Sequence, residues 1–281
     1  MEHDPVAGLR LGLLGQPVAG SLSPFIHQAF AEQHHLKLEY QVAETGVAEL
    51  AGRLAEWAAA GASGINLTLP LKEEGFRLCN GQTRAAARSR AVNVLIRAGQ
   101  GWIGDNTDGI GFWKDLTRRH RFLSQGRPIL VVGSGGAARG ILQTLIEAGE
   151  VVCLAVRDRG RGMRLVDDFA WMGAQRILVT DLRTPPAGTR WSLIVNATSA
   201  GHSGQIPDLD PGIFEGRPWA YDLGYGEAGR PFTRWAMERG AARAIDGLGM
   251  LVEQAAASFE KWTGRIPLTD PVYDALRLQS P

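Results

Sequence analysis

Thiols are scarce in this chain of 281 residues: Cys79 and Cys153 are the only two cysteines. They lie far apart in no metal-ligand spacing, which argues against a disulfide-stapled scaffold and against a cysteine-built metal centre. No metal is expected. Excess charge is missing too. A formal net charge of +1 supplies no general field to draw the chain to nucleic acid or to an anionic membrane. The apolar stretches, such as Ile129–Val132, are strand-sized and far below the ~20 residues of a membrane span. The start Met1-Glu2-His3-Asp4-Pro5 has neither a basic head nor an apolar run. No secretory leader is read there, and a cytoplasmic protein is expected.

What is present is a globular mixture, 44% hydrophobic and 21% charged, long enough for two domains with a core in each. Strand-like and helix-like segments alternate. Leu9 to Leu14, Tyr40 to Ala43 and Gly64 to Leu69 read as strands, with helices over Pro24 to Gln33 and Val47 to Ala60. A linking helix, Gly111 to Arg119, leads to further strands at Pro128–Val132, Val151–Val156, Arg176–Val179, Leu193–Asn196 and Ala220–Leu223. Near-continuous apolar strands between helices predict an α/β fold with a parallel sheet covered on both faces. A long helix from Leu251 to about Trp262 is expected to return to the first domain. The domains are drawn as 1–110 plus 247–281, for substrate, and 111–246, a Rossmann-like nucleotide domain.

Gly133-Ser134-Gly135-Gly136-Ala137-Ala138 follows an apolar strand and opens a helix, the context that gives a glycine pattern meaning. Gly133 permits a tight turn, Gly135 lets backbone approach a pyrophosphate, and Ala138 lets helix and strand pack closely. The helix start adds N–H groups and a positive dipole end. At the end of the next strand stands Val156-Arg157-Asp158-Arg159-Gly160-Arg161. Arginines there suit the 2′-phosphate of NADP, whereas an acidic residue suits the ribose hydroxyl of NAD. Arg157 and Arg161 favour NADP; Asp158 keeps NAD possible.

Upstream lie short polar side chains too dense to be core. Ser21 and Ser23 offer two hydroxyls ahead of a helix, an arrangement that suits a carboxylate and equally a helix cap. Asn66 and Thr68 are read as sharing one face of a strand. Lys72 follows Pro70, over the end of that strand, Asn93 closes Ala91-Val92-Asn93, and Asp108 sits in a glycine-flanked loop. A lysine and an aspartate beside a hydride carrier are the equipment of an alcohol dehydrogenase.

Together these segments resemble the shikimate dehydrogenase family. The resemblance runs through Ser21-Leu22-Ser23-Pro24, Asn66-Leu67-Thr68-Leu69-Pro70-Leu71-Lys72, Ala91-Val92-Asn93, Gly104-Asp105-Asn106-Thr107-Asp108-Gly109 and the glycine loop. It continues through Asn196-Ala197-Thr198-Ser199 and Asp222-Leu223-Gly224-Tyr225 to Asp246-Gly247-Leu248-Gly249-Met250-Leu251-Val252-Glu253-Gln254. It implies NADP-dependent, reversible reduction of 3-dehydroshikimate to shikimate, in aromatic amino-acid (chorismate) biosynthesis, by a monomer or homodimer. It implies Lys72 and Asp108 as catalytic pair, and Ser21, Ser23, Asn66, Thr68, Asn93, Tyr225 and Gln254 as substrate contacts. Gly133, Ser134, Gly135, Gly136 and Ala137 would hold the nucleotide with Arg157, Asp158 and Arg161. Thr198 and Ser199 would line its cleft, and Leu223, Gly247 and Met250 would lie near the nicotinamide. The chain departs from the family pattern at Val156-Arg157-Asp158, Gln28, Val94 and Arg84. Two alternatives stay open: a quinate or aminoshikimate enzyme using NAD or either cofactor, and a non-catalytic nucleotide sensor.

Overall fold

The computed structural model describes residues 8–169 and 177–279. The chain divides into two compact units, Met1–Thr107 with Val252–Pro281, and Asp108–Leu251. The sequence reading drew the divisions at 110/111 and 246/247. The structure groups Asp108–Ile110 and Gly247–Leu251 with the second unit.

The first unit runs β1 (Leu9–Gly15), α1 (Ser23–Gln33), β2 (Leu38–Glu44), α2 (Leu50–Ala59), β3 (Gly64–Leu67), α3 (Lys72–Leu78), β4 (Gly81–Gln82), α4 (Arg84–Ser89), β5 (Val94–Ala98) and β6 (Gly101–Asp105). Its sheet has the order β2-β1-β3-β5-β6-β4. β1 pairs parallel with β2 and β3, as the alternation of strands and helices suggested. β5 is antiparallel to both β3 and β6, so the expected all-parallel sheet is here a mixed one. The reason is local. Ala98 pairs with Gly101, leaving Gly99-Gln100 as the connection, and so short a loop can only send the chain back antiparallel. β3 also stops earlier than expected. Leu71 N–H donates to the Thr68 carbonyl at 2.8 Å, closing a turn straight after Leu67. Thr68 thus lies just past the strand, its N–H still donating to the Leu14 carbonyl of β1 at 2.9 Å.

The second unit contains α5 (Asp108–Lys114), β7 (Ile129–Val132), α6 (Gly136–Glu147), β8 (Val152–Val156), α7 (Arg159–Asp168), β9 (Ile177–Asp181), β10 (Leu193–Asn196), β11 (Trp219–Asp222), α8 (Arg230–Glu238) and β12 (Arg243–Ile245). Arg176, read as the first residue of a strand, lies outside the described residues. Six strands pair in parallel in the order β12-β11-β10-β7-β8-β9. Alternate residues of each strand enter two separate cores. Ile129, Val131, Leu154 and Val195 pack on one face, and Leu130, Val132, Cys153, Ala155 and Ile194 on the other. Burial on both sides explains why these strands read as unbroken apolar runs. The order reverses between β7 and β10, which makes the carboxyl ends of those two strands the switch point where open α/β sheets take ligands.

Two helices complete the chain, α9 (Leu248–Thr263) and α10 (Asp270–Gln279). From Val252 onward α9 belongs to the first unit. Its Trp262 indole donates to the Leu95 carbonyl at 3.0 Å, and a Cβ on Gly64 would overlap the indole ring. The glycine in β3 makes room for the returning helix.

Candidate active site

In the first unit Asn66, Asn93 and Gln254, three of the predicted residues, share one buried polar network. Asn93 is 2% exposed. Its Oδ1 accepts the Thr107 N–H at 2.8 Å, while its Nδ2 donates to Thr107 Oγ1 at 2.9 Å and to Gln254 Oε1 at 3.1 Å. Gln254 and Ser258, one helical turn apart on α9, face the same network. The Ser258 hydroxyl lies 3.0 Å from that of Thr107. Asn66 is held at both ends of its amide. Its Nδ2 donates to the Asn93 carbonyl (3.2 Å) and Ser258 Oγ (3.5 Å). Its Oδ1 accepts the Tyr40 hydroxyl (2.9 Å) and faces His27 Nε2 at 3.2 Å. Two donors and two acceptor sites are all an asparagine amide offers. Asn66, expected as a substrate contact, is thus tied to its neighbours at both ends of its amide.

His27 and Tyr40 were not foreseen as site residues. The His27 ring is fully buried and stacks on Tyr40 at 4.9 Å. Burial pulls its pKa down to about 3 against a weaker opposing pull from Asn66, so the imidazole is neutral and donates from Nε2. Burial likewise pushes the Tyr40 phenol far up, with Ser23 as its hydrogen-bonding neighbour. Ser23 is buried and Ser21 is half-buried, the Ser21 hydroxyl accepting the Ser23 N–H at 3.3 Å. Thr68 is half-buried in the turn after β3. Lys72 opens α3, half-buried, and its carbonyl accepts the Val92 N–H at 2.9 Å, next to Asn93.

The second unit carries the other set. Asp108, 3% exposed, is the first residue of α5. At the switch point Gly133 takes φ +112°, a conformation side chains rarely adopt, and a Cβ there would lie 3.0 Å from the Ala197 carbonyl. Around Gly135 a Cβ would meet nothing within 4 Å. Ala138 is fully buried where α6 meets the sheet. The α6 N-terminus has no side-chain cap, so Ser134, Gly136 and Ala137, all half-buried, leave its backbone groups for an anion. These features fit a dinucleotide phosphate. Past β8, Arg157, Asp158 and Arg161 are exposed. Asp158 caps α7, its Oδ1 accepting the Arg161 N–H at 2.9 Å. One oxygen of its carboxylate is thus engaged by the helix. Thr198 and Ser199 follow β10, Leu223 and Tyr225 follow β11, and Gly247 and Met250 follow β12.

Family models match the chain in two places: a shikimate dehydrogenase substrate binding domain over residues 13–95 and a shikimate 5′-dehydrogenase C-terminal domain over residues 247–277. The chain is 40% identical over 269 residues to a shikimate dehydrogenase (NADP(+)) of Alkalilimnicola ehrlichii, covering 95% of this chain and 98% of that one. It belongs to the shikimate dehydrogenase family. Among solved structures, the shikimate 5-dehydrogenase of Thermus thermophilus in complex with NADP(H) and shikimate superposes with a TM-score of 0.81 at 32% identity, covering 96% of this chain and 99% of that one. An Ael1 enzyme from Pseudomonas putida gives a TM-score of 0.86 at 32% identity, covering 96% and 98%. The family is one of oxidoreductases, and this chain is an enzyme of that class. Among the described residues no helix is long and apolar enough to cross a membrane.

Proposed function

We propose that this enzyme interconverts 3-dehydroshikimate and shikimate with NADP, in the route to aromatic amino acids, in the cytoplasm. The observation that carries the reading is family membership over nearly the whole chain together with retention of Lys72 and Asp108, each opening a helix. The dinucleotide, held at the glycine loop, would supply or accept the hydride. In the reducing direction the ketone oxygen gains negative charge; the Lys72 ammonium stabilises that charge and delivers the proton, giving the alcohol. Asp108 holds the amine and the substrate hydroxyl in line. Ser21, Ser23 and Tyr225 donate to the substrate carboxylate, while Thr68, Asn93 and Gln254 bind its hydroxyls. Asn66 keeps Asn93 in place.

For the cofactor, Arg157 and Arg161 would hold the 2′-phosphate. The feature that would favour NAD is Asp158, and its capping of α7 gives one oxygen of that carboxylate to the Arg161 N–H. A charge-assisted contact is worth about 1.5–3 kcal/mol, so one arginine gives NADP a roughly 10- to 150-fold advantage. The test is kcat/KM for shikimate and for quinate, each with NADP and with NAD. Highest efficiency with shikimate and NADP, lowered selectively for NADP by Arg157→Ala, supports the reading. Equal efficiency with both cofactors, or preference for quinate, replaces it with the NAD-tolerant alternative.

A further inference from the structure

Asp222 ends β11 and is 2% exposed. It takes no part in the catalysis or the ligand contacts proposed for this enzyme, and a role for it towards the nucleotide rests on the NADP-binding reading. Both of its carboxylate oxygens accept hydrogen bonds. Oδ1 takes the Gly224 N–H at 2.7 Å, and Oδ2 takes Asn196 Nδ2 at 2.8 Å. Asn196, the last residue of β10, turns its other amide end on the next loop. Its Oδ1 accepts the Thr198 N–H (3.1 Å) and the Thr198 hydroxyl (2.7 Å). The Thr198 methyl would in turn lie 3.2 Å from a Cβ on Gly133, in the glycine loop after β7. From the other side, the Gly247 N–H donates to the Gly224 carbonyl at 2.8 Å, and a Cβ on Gly247 would overlap the Leu223 carbonyl. The loops after β7, β10, β11 and β12 thus meet around one buried carboxylate, and they carry Gly133, Thr198, Ser199, Leu223 and Gly247.

We propose that Asp222 is a positioning residue for the nucleotide: its carboxylate, through Asn196 and Gly224, holds the loops at the carboxyl edge of the parallel sheet in the arrangement that receives the nicotinamide end. Every partner in the network is a donor pointing at an oxygen, so the pattern requires the ionised carboxylate. A proton on either oxygen turns an acceptor into a donor facing Asn196 Nδ2 or the Gly224 N–H. Yet burial pushes the Asp222 pKa up to about 7, with the negative charge of Asp246 after β12 adding to the rise against the hydrogen bonds from Asn196 and Gly224. Among the described residues Asp246 is the titratable group acting on it; from β10 it faces the neutral Asn196. The arrangement of these loops therefore changes with pH around neutrality.

Two variants test this. Asp222→Asn has one acceptor for two donors. The exchanged pair, Asn196→Asp with Asp222→Asn, restores every bond: the new carboxylate accepts from Thr198 and from the new amide, whose oxygen accepts the Gly224 N–H. NADP binding is measured by calorimetry between pH 6 and 9, with melting temperature alongside. The parent should bind about tenfold more tightly at pH 8.5 than at pH 6. Asp222→Asn should bind weakly and nearly independently of pH, yet melt no lower than the parent at pH 8.5, since it removes a buried charge. The exchanged pair should recover most of the affinity. Parent-like affinity and pH profile in Asp222→Asn, or failure of the exchange to recover binding, overturns the proposal. So does loss of affinity accompanied by a lowered melting temperature. Should Asp222→Asn not fold, amide exchange of segments 196–204 and 222–229 in the parent, corrected for intrinsic rates, decides. Faster exchange at pH 6 than at pH 8.5 supports the proposal; equal protection overturns it. Because binding is read apart from turnover, a parent that binds NADP in this pH-dependent way but does not oxidise shikimate would reject the reading of its substrate and leave Asp222's role standing.

Discussion

On the proposed mechanism, removal of Lys72 and removal of Ser23 should separate chemistry from binding. Positioned acid–base groups contribute ~10²–10⁴-fold, so Lys72→Ala should lower kcat by about that factor with a smaller change in KM. Steady-state rates within a few-fold of the parent would remove Lys72 from the proton transfer. Ser23→Ala should weaken shikimate binding about tenfold or more, a charged hydrogen bond being worth about 1.5–3 kcal/mol. NADP affinity should not move, and calorimetry with each ligand reads the difference. Asn93 and Gln254, both singled out in the sequence, share one hydrogen-bonded network, while Lys72 and Asp108 are proposed as the catalytic pair on the family resemblance. His27 and Tyr40 were not legible in the sequence. A histidine on a helix and a tyrosine on a strand look like packing residues until the fold stacks them against Asn66. β3 was drawn too long because Leu69 prolongs the apolar pattern past the point where the Thr68–Leu71 turn ends the strand.

At the scale of elements, legibility followed burial. β7, β8 and β10 are apolar on both faces and stood out. β5 and β6, joined by two residues, alternate too weakly to announce themselves, and β12 is three residues long. The return of α9 could be anticipated from Gln254, but not its anchor, the Trp262 indole laid over Gly64. Trp262→Ala should remove about 3–5 kcal/mol from the first unit, the usual cost of emptying a buried aromatic site. In a denaturant titration followed by proteolysis, peptides from the first unit should become susceptible at lower denaturant than in the parent, while those from 108–251 keep their midpoint. An unchanged midpoint for the first unit would show that the indole carries little of its stability.

For the whole molecule, two buried groups pull stability in opposite directions with pH. In the unfolded chain His27 titrates near 6.5 and in the fold only at about 3. The unfolded chain thus binds the extra proton between these values, and the first unit loses stability as pH falls through that window. Asp222 is reversed. Its folded pKa of about 7 lies above the ordinary 3.8, so the second unit gains stability as pH falls from 7 towards 4. Acidification to pH 5 should therefore unfold the first unit at lower temperature while sparing the second, with limited proteolysis along a thermal ramp resolving the two. His27→Phe should flatten the acid limb of the first unit alone; equal loss in both units would contradict the assignment.

The division of the first unit into two stretches of chain also sets an order of manufacture. A ribosome delivers residues from the amino end at ~5–20 per second, and segments fold as their partners emerge. The middle unit is one continuous stretch and has its whole sheet once Ile245 is out. The first unit must wait with its Gly64 surface bare until Trp262 has been made. Nascent chains stalled at residue 251 and clear of the exit tunnel should accordingly show a protease-resistant middle and a cleavable beginning, the earliest residues synthesised being the last to be secured.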